Sequence, residues 1–295
     1  MFTDLTDFVN ERPELKALLI ENNVAYNTTE DGKMFSIALP VTRPMGMYYN
    51  GTMLDLGDKT PADMTWDEFT AALGENKIAF GTGESAWTTA LIFSGLIALE
   101  DGGTELLNNS LIDKIYDYTQ APILNAVTKL QALMQNYGMN NQIGAVYADC
   151  ANAFMSKNAA VIANGSWMVG DFTGEDAASK WSNGFDGATV RGAVLPGNVA
   201  LANTTDFGWW VPSTVSDAEK EVALAFIEFM NTPAELETYM LAEGGVAPNL
   251  TVSEEYTASA KEAPLMYEYV NAVNADTVII PCVLDCMPSS IANTE

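Results

Sequence analysis

The chain has 295 residues, 48% of them hydrophobic and 18% charged, which excludes wholesale disorder, a collagenous repeat and a heptad rod and leaves room for about two domains or lobes. Thirteen Lys and Arg against 39 Asp and Glu give a net charge of -26; the basic residues, from Arg12 to Lys261, stand singly, which argues against nucleic acid or anionic lipid as partners, since both need clustered cations. There is no histidine, so Ser-His and Cys-His nucleophile pairs, His general bases and most zinc sites are excluded, and an enzyme here would rest on carboxylates, Lys or Tyr.

The first fifteen residues carry neither a basic nor an apolar leader segment, and no stretch approaches the roughly 18 apolar residues of a membrane span. Lys33–Leu39 alternates like a strand and stops at Pro40; Met47–Asn50 reads as a second, short strand, with Pro40–Gly46 as a turn-rich link. Thr65 and Glu68 spell a capping box ahead of a helix over 66–73 that Gly74 ends. Ser85–Glu100 reads as an Ala-rich apolar helix and Pro122–Asn136 has helical spacing. Asp149–Lys157 predicts a shorter helix, followed by the apolar strand Ala159–Ala163 and an Asn164-Gly165-Ser166-Trp167 turn. Ser216 and Glu219 open a helix in which Val222, Ala225, Phe226 and Phe229 share one face. Thr232, Pro233 and Glu235 open the next, which Gly244 and Gly245 end. Alternating strands and helices of this kind make an α/β pattern.

Six tryptophans offer candidate chemistry. Trp66 follows a helix cap and reads as core. Trp87 follows a Gly-rich turn, Trp167 follows Gly165-Ser166, and Trp209-Trp210 follow Gly208. Aromatics at element ends beside small residues suit an apolar ligand face such as a sugar ring, because they leave a flat surface and accessible amides; independent core tryptophans are the alternative. Gly81–Ser85 lacks the Gly-Lys-Ser/Thr of a phosphate loop. No spacing singles out a carboxylate pair for glycoside hydrolysis. Cys150, Cys282 and Cys286 do not make a disulfide framework; Cys282 and Cys286, four apart, either pair or remain ordinary buried thiols.

The segments Asp31–Pro40, Gly46–Asn50, Thr65–Phe69, Asp101–Gly103, Ala153–Trp167 and Gly208–Asn249 fall in the order that resembles the extracellular solute-binding proteins of carbohydrate ABC transporters, the family-1 type that includes maltose-binding protein. The resemblance runs over about residues 3–285. It implies an α/β fold of the periplasmic-binding-protein type II, with two lobes joined by several crossings around a ligand cleft, no catalysis, no cofactor and no metal. It divides the chain into 1–46 as a remnant of the first lobe and a crossing, 47–202 as the second lobe, 203–250 as a return to the first lobe, and 251–295 as second-lobe helices. Relatives begin and end further out, so the resemblance implies an incomplete first lobe and missing last helices. Ligand contacts carried over residue by residue are Arg43, in the 40–46 crossing; Glu84, Ser85 and Trp87; Gly165, Ser166 and Trp167; Gly208, Trp209 and Trp210; and Asn249.

The implied partners are a carbohydrate and an ABC permease, and the implied location is extracellular or periplasmic, with a lipid-modified Cys anchoring the precursor. A first-lobe surface left uncovered between Phe207 and Pro248 implies self-association. Two other classes remain open: a carboxylate-based glycoside hydrolase or lyase, and an interaction module that keeps the fold without binding ligand.

Overall fold

The computed structural model describes residues 2–202 and 208–292. Its strands are β1 (Ile37–Ala38), β2 (Pro44–Asn50), β3 (Ile78–Ala79), β4 (Val161–Gly165), β5 (Val190–Ala193), β6 (Val199–Ala202), β7 (Gly208–Trp209) and β8 (Val278–Ile280). The chain folds as two compact units, Met1–Arg43 with Asn203–Ala263 and Pro44–Ala202 with Pro264–Glu295. The return from the first unit therefore falls at Ala263/Pro264, later than residue 250, and helix Glu254–Lys261 packs with the first unit. The start of the 203–250 segment, including Phe207, lies outside the described residues.

The second unit is built on a six-stranded sheet in the order β3-β4-β2-β6-β8, with β5 also paired to β2. Strand β2 is its axis. One edge of β2 runs antiparallel to β4, with Tyr48 opposite Ile162; the other meets β6 through Pro44 and Met45, then β5 through Met47–Asn50. β3–β4 and β6–β8 are parallel. The expected strand at 47–50 is thus three residues longer at its start, because β4 and β6 offer partners that no local pattern reveals; Pro44–Gly46 are ladder, not link. One core gathers Phe69, Phe80, Leu96, Val161 and Leu201; the other gathers Tyr48, Phe154, Met168, Phe172 and Phe185. Both capping signals for the sheet's first helix hold: Glu68 N–H donates to Thr65 Oγ1, and Thr65 N–H donates to Glu68 Oε2 at 2.9 Å, with Gly74 left-handed after Leu73. Trp66 is buried in that core, as its position after the cap predicts.

In the first unit the expected strand over 33–39 pairs, among the described residues, at Ile37 and Ala38, against Trp209 and Gly208 of β7, with a bridge from Met34 to Thr28. Two clusters hold this unit, one around Leu5, Phe8, Ile37, Val211 and Ile227, the other around Leu39, Val41, Leu236 and Met240. Helix Asp217–Met230 opens with the expected Ser216/Glu219 box. Pro233 starts the next helix, but the Thr232 hydroxyl donates back to Phe229 O and makes no cap to that helix. Among the described residues no helix is long and apolar enough to cross a membrane.

Val222, Phe226 and Phe229 of helix 217–230 share a face, but they are 70%, 48% and 52% exposed, and the residue driven inward is Ile227 at 3%, flanked by half-buried Ala223 and Leu224. Periodicity assigns residues to a common stripe without saying which stripe meets the core. Val222→Ser is accordingly expected to move the unfolding free energy by no more than about 0.5 kcal/mol, whereas Ile227→Ala costs about 2 to 4 kcal/mol through lost burial and the cavity it leaves. Urea denaturation of the two variants checks this, and the reverse ranking would invert the helix.

Candidate functional site

Two of the sequence-derived groups lie in the second unit. Strand β4 ends at Gly165 and the chain turns through a short 3-10 helix, Ser166–Val169. Ser166 is fully buried and Trp167 half-buried, packed against both cores of this unit. The Trp167 ring lies on the Gly165 backbone: a Cβ at Gly165 would sit 2.1 Å from Cζ3 of that ring, so only glycine lets the indole adopt this place.

The second group follows β3. Gly83 N–H donates to Ala145 O at 2.9 Å, and then Glu84, Ser85 and Ala86 all take left-handed backbone angles, with φ of 51°, 58° and 55°. The expected helix over 85–100 therefore begins only at Trp87 and ends at Ala98. The left-handed turn swings Glu84 back so that Tyr147 N–H, at the first position of helix Tyr147–Met155, donates to its carboxylate at 2.9 Å. A carboxylate there also faces the positive end of the helix dipole. Three consecutive non-glycine residues in this region are costly. Ala86→Gly is therefore expected to stabilise the protein by about 0.5 to 1 kcal/mol, the relief of left-handed strain outweighing the added freedom of the unfolded chain; a lower melting temperature in that variant would show the turn to be unstrained.

Two residues not singled out from the sequence stand beside Trp87. The Tyr147 ring centroid is 5.4 Å from that of Trp87, and its hydroxyl is 3.5 Å from Asp171 Oδ2. Burial, with the Asp171 charge beside it, pushes the Tyr147 phenol up to about 12, so it stays protonated and able to donate. Asp171 is held by an ion pair with Lys180, and its carbonyl accepts from Trp181 Nε1 at 3.0 Å. The signal for Tyr147 was the helix start: Val146 N–H donates to Asp149 Oδ2 at 3.0 Å, so the helix opens two residues ahead of Asp149, with the aromatic in its first turn. Trp87, Tyr147 and Trp167 thus offer aromatic surface in one unit, with Asp171 a carboxylate able to accept hydroxyl hydrogen bonds.

The first-unit residues have other engagements. Arg43 closes the first segment of that unit, pairs with Glu243 at 3.3 Å and stands 6.0 Å from the Tyr239 ring. Gly208 and Trp209 form β7, and Trp209 meets Phe226 edge-on at 5.2 Å. Trp210 is 56% exposed with Phe2 at 4.8 Å. Asn249 donates its side-chain amide to the carbonyls of Leu18 and Leu19, at 3.3 and 2.8 Å, and so closes the end of helix Pro13–Leu18. These residues do not form one cluster within their unit. The three cysteines are free and buried, and burial raises Cys150 to about 11 and Cys282 and Cys286 to about 12.

The sequence matches the family model described as bacterial extracellular solute-binding protein over residues 1–267. A comparison with curated proteins finds no match. Among solved structures, a Streptococcus pneumoniae solute-binding protein in complex with the blood group A-trisaccharide is 22% identical with a TM-score of 0.74, covering 99% of this chain and 73% of that one. A chitin oligosaccharide binding protein is 21% identical, TM-score 0.72, covering 99% and 71%. A maltose-bound T. maritima protein, MalE3, is 16% identical, TM-score 0.64, covering 97% and 72%. Identities this low establish a shared α/β fold of the periplasmic-binding-protein kind.

Proposed function

We propose that this chain, which belongs to the bacterial extracellular solute-binding protein family, captures an oligosaccharide or related polyol outside the cytoplasmic membrane and presents it to an ABC permease without transforming it. The observation that carries this reading is the set of partly exposed aromatics in the second unit: Trp167 lies on Gly165, and Trp87 pairs with Tyr147 beside Asp171. Indole and phenol rings stack on the apolar faces of pyranose rings, and a carboxylate and a protonated phenol accept from and donate to sugar hydroxyls. The carbohydrates named for the similar structures support the same ligand class. The sugar itself and the identity of the permease belong to this proposal.

The experiment is a titration of intrinsic tryptophan fluorescence with maltose, raffinose and a chitin oligosaccharide, followed by chromatography of the sugar. A saturable change with intact sugar supports capture. Cleaved sugar would favour a carboxylate-based hydrolase, and a flat response from folded protein would favour an interaction module without a carbohydrate ligand.

A further inference from the structure

Two buried tyrosines of the second unit carry hydroxyls that the partly exposed aromatics do not use. Tyr48, on β2, and Tyr269, in helix Pro264–Asn271, are 0% and 3% exposed and stack with centroids 4.6 Å apart and planes 16° from parallel. Each donates its proton to a main-chain carbonyl of the same turn: Tyr269 to Asn164 O at 2.6 Å and Tyr48 to Gly165 O at 2.9 Å. Gly165 N–H in turn donates to Asn164 Oδ1 at 2.8 Å. Two successive peptide groups, immediately before Ser166-Trp167, are thus held by side chains from a neighbouring strand and a helix distant in sequence. The Tyr269 oxygen also accepts Gly46 N–H at 2.7 Å. Gly46 lies three residues past the Arg43/Pro44 boundary, and Pro44 and Met45 pair with Ala202 and Leu201, the last residues before the second boundary. Tyr269 itself stands on the first helix after the third boundary, at Ala263/Pro264.

We propose that Tyr269 is a positioning residue for ligand capture: with Tyr48 it fixes the Asn164–Gly165 peptides, and so the orientation of Trp167, and it ties that turn to the start of β2. Its effect on affinity rests on the carbohydrate reading above, while its effect on Trp167 does not. A buried phenol is suited to this because burial favours its neutral, hydrogen-donating form and raises both hydroxyls above the ordinary tyrosine range. That one oxygen serves as acceptor from Gly46 and donor to Asn164, so removing it deletes both hydrogen bonds at once.

The test is Tyr269→Phe, which keeps the stacked ring and deletes only that oxygen, against Phe185→Leu, a destabilising change in the same core that touches neither Gly46 nor the turn. In ligand-free protein, Tyr269→Phe is expected to speed hydrogen exchange of the Gly46 amide at least tenfold and to shift the Trp167 indole resonance, with Phe185→Leu doing neither. Affinity for whichever of maltose, raffinose or chitin oligosaccharide saturates the wild type is expected to fall about tenfold in Tyr269→Phe alone. An unmoved Trp167 indole signal in Tyr269→Phe overturns the positioning role, as does unchanged affinity in a wild type that binds. Should the wild type bind none of the three, the carbohydrate reading fails for them, and the indole signal alone decides the role of Tyr269.

Discussion

Trp167→Ala is expected to weaken carbohydrate binding by about 1 to 3 kcal/mol, or roughly 5- to 150-fold, on the apolar area an indole buries against a sugar ring and the extra gain of aromatic stacking. The size of the effect follows from where the ring is. The indole occupies the space that a Cβ on Gly165 would take and both cores of the second unit pack against it, so the ring is ordered before ligand arrives and little side-chain entropy remains to be lost on binding. Gly165→Ala is the companion change: its Cβ would fall on the indole at 2.1 Å and displace the ring without deleting it. Calorimetric titration of both variants with the sugar that saturates the wild type is the measurement, made well below the melting temperature because Trp167 also contributes to packing. Unchanged affinity in Trp167→Ala would remove this ring from the site.

The second large effect is on stability. Phe154→Ala is expected to destabilise the second unit by about 3 to 5 kcal/mol, a substantial share of the roughly 5 to 15 kcal/mol that holds a typical domain. Phe154 is fully buried and meets Phe172 at 5.5 Å and Phe185 at 5.6 Å, both edge-on. Phe172 and Phe185 also meet Tyr48 and Trp181 respectively, so the rings around the space a phenyl ring leaves are themselves held by other rings. Denaturant unfolding followed by Trp181 emission reports on this cluster directly. A loss below about 1.5 kcal/mol would mean that the cluster repacks and is looser than its geometry indicates.

What local chemistry dictates was legible in the sequence. The boxes at Thr65/Glu68 and Ser216/Glu219 close as their spacing requires, since a cap is a matter of three residues and two hydrogen bonds. What depends on distant partners was not. Helix 217–230 turns Ile227 inward and leaves Phe226 and Phe229 outward, a choice made by Leu5, Phe8 and Ile37, which lie near it only in the fold. Trp87 and Trp167 could be picked out as aromatics at element ends. For Tyr147 the only local signal was a helix start ahead of Asp149; its place beside Trp87 depends on Glu84 and the left-handed turn some sixty positions earlier. Asn249, read from the resemblance as a ligand contact, holds Leu18 and Leu19 carbonyls from more than two hundred residues away.

The pairing of β8 with β6 sets the order in which the second unit can be assembled. Val278–Ile280 lie beside Val199–Leu201, and between them the chain leaves to form part of the other unit. As the protein emerges from the ribosome, the β6 edge stays bare until Val278–Ile280 have been made, and closing so long a loop carries an entropic cost before any pairing offsets it. An open parallel edge is a template for unwanted strand addition. The nascent chain is therefore most exposed to misassembly in the interval between the synthesis of β6 and that of β8.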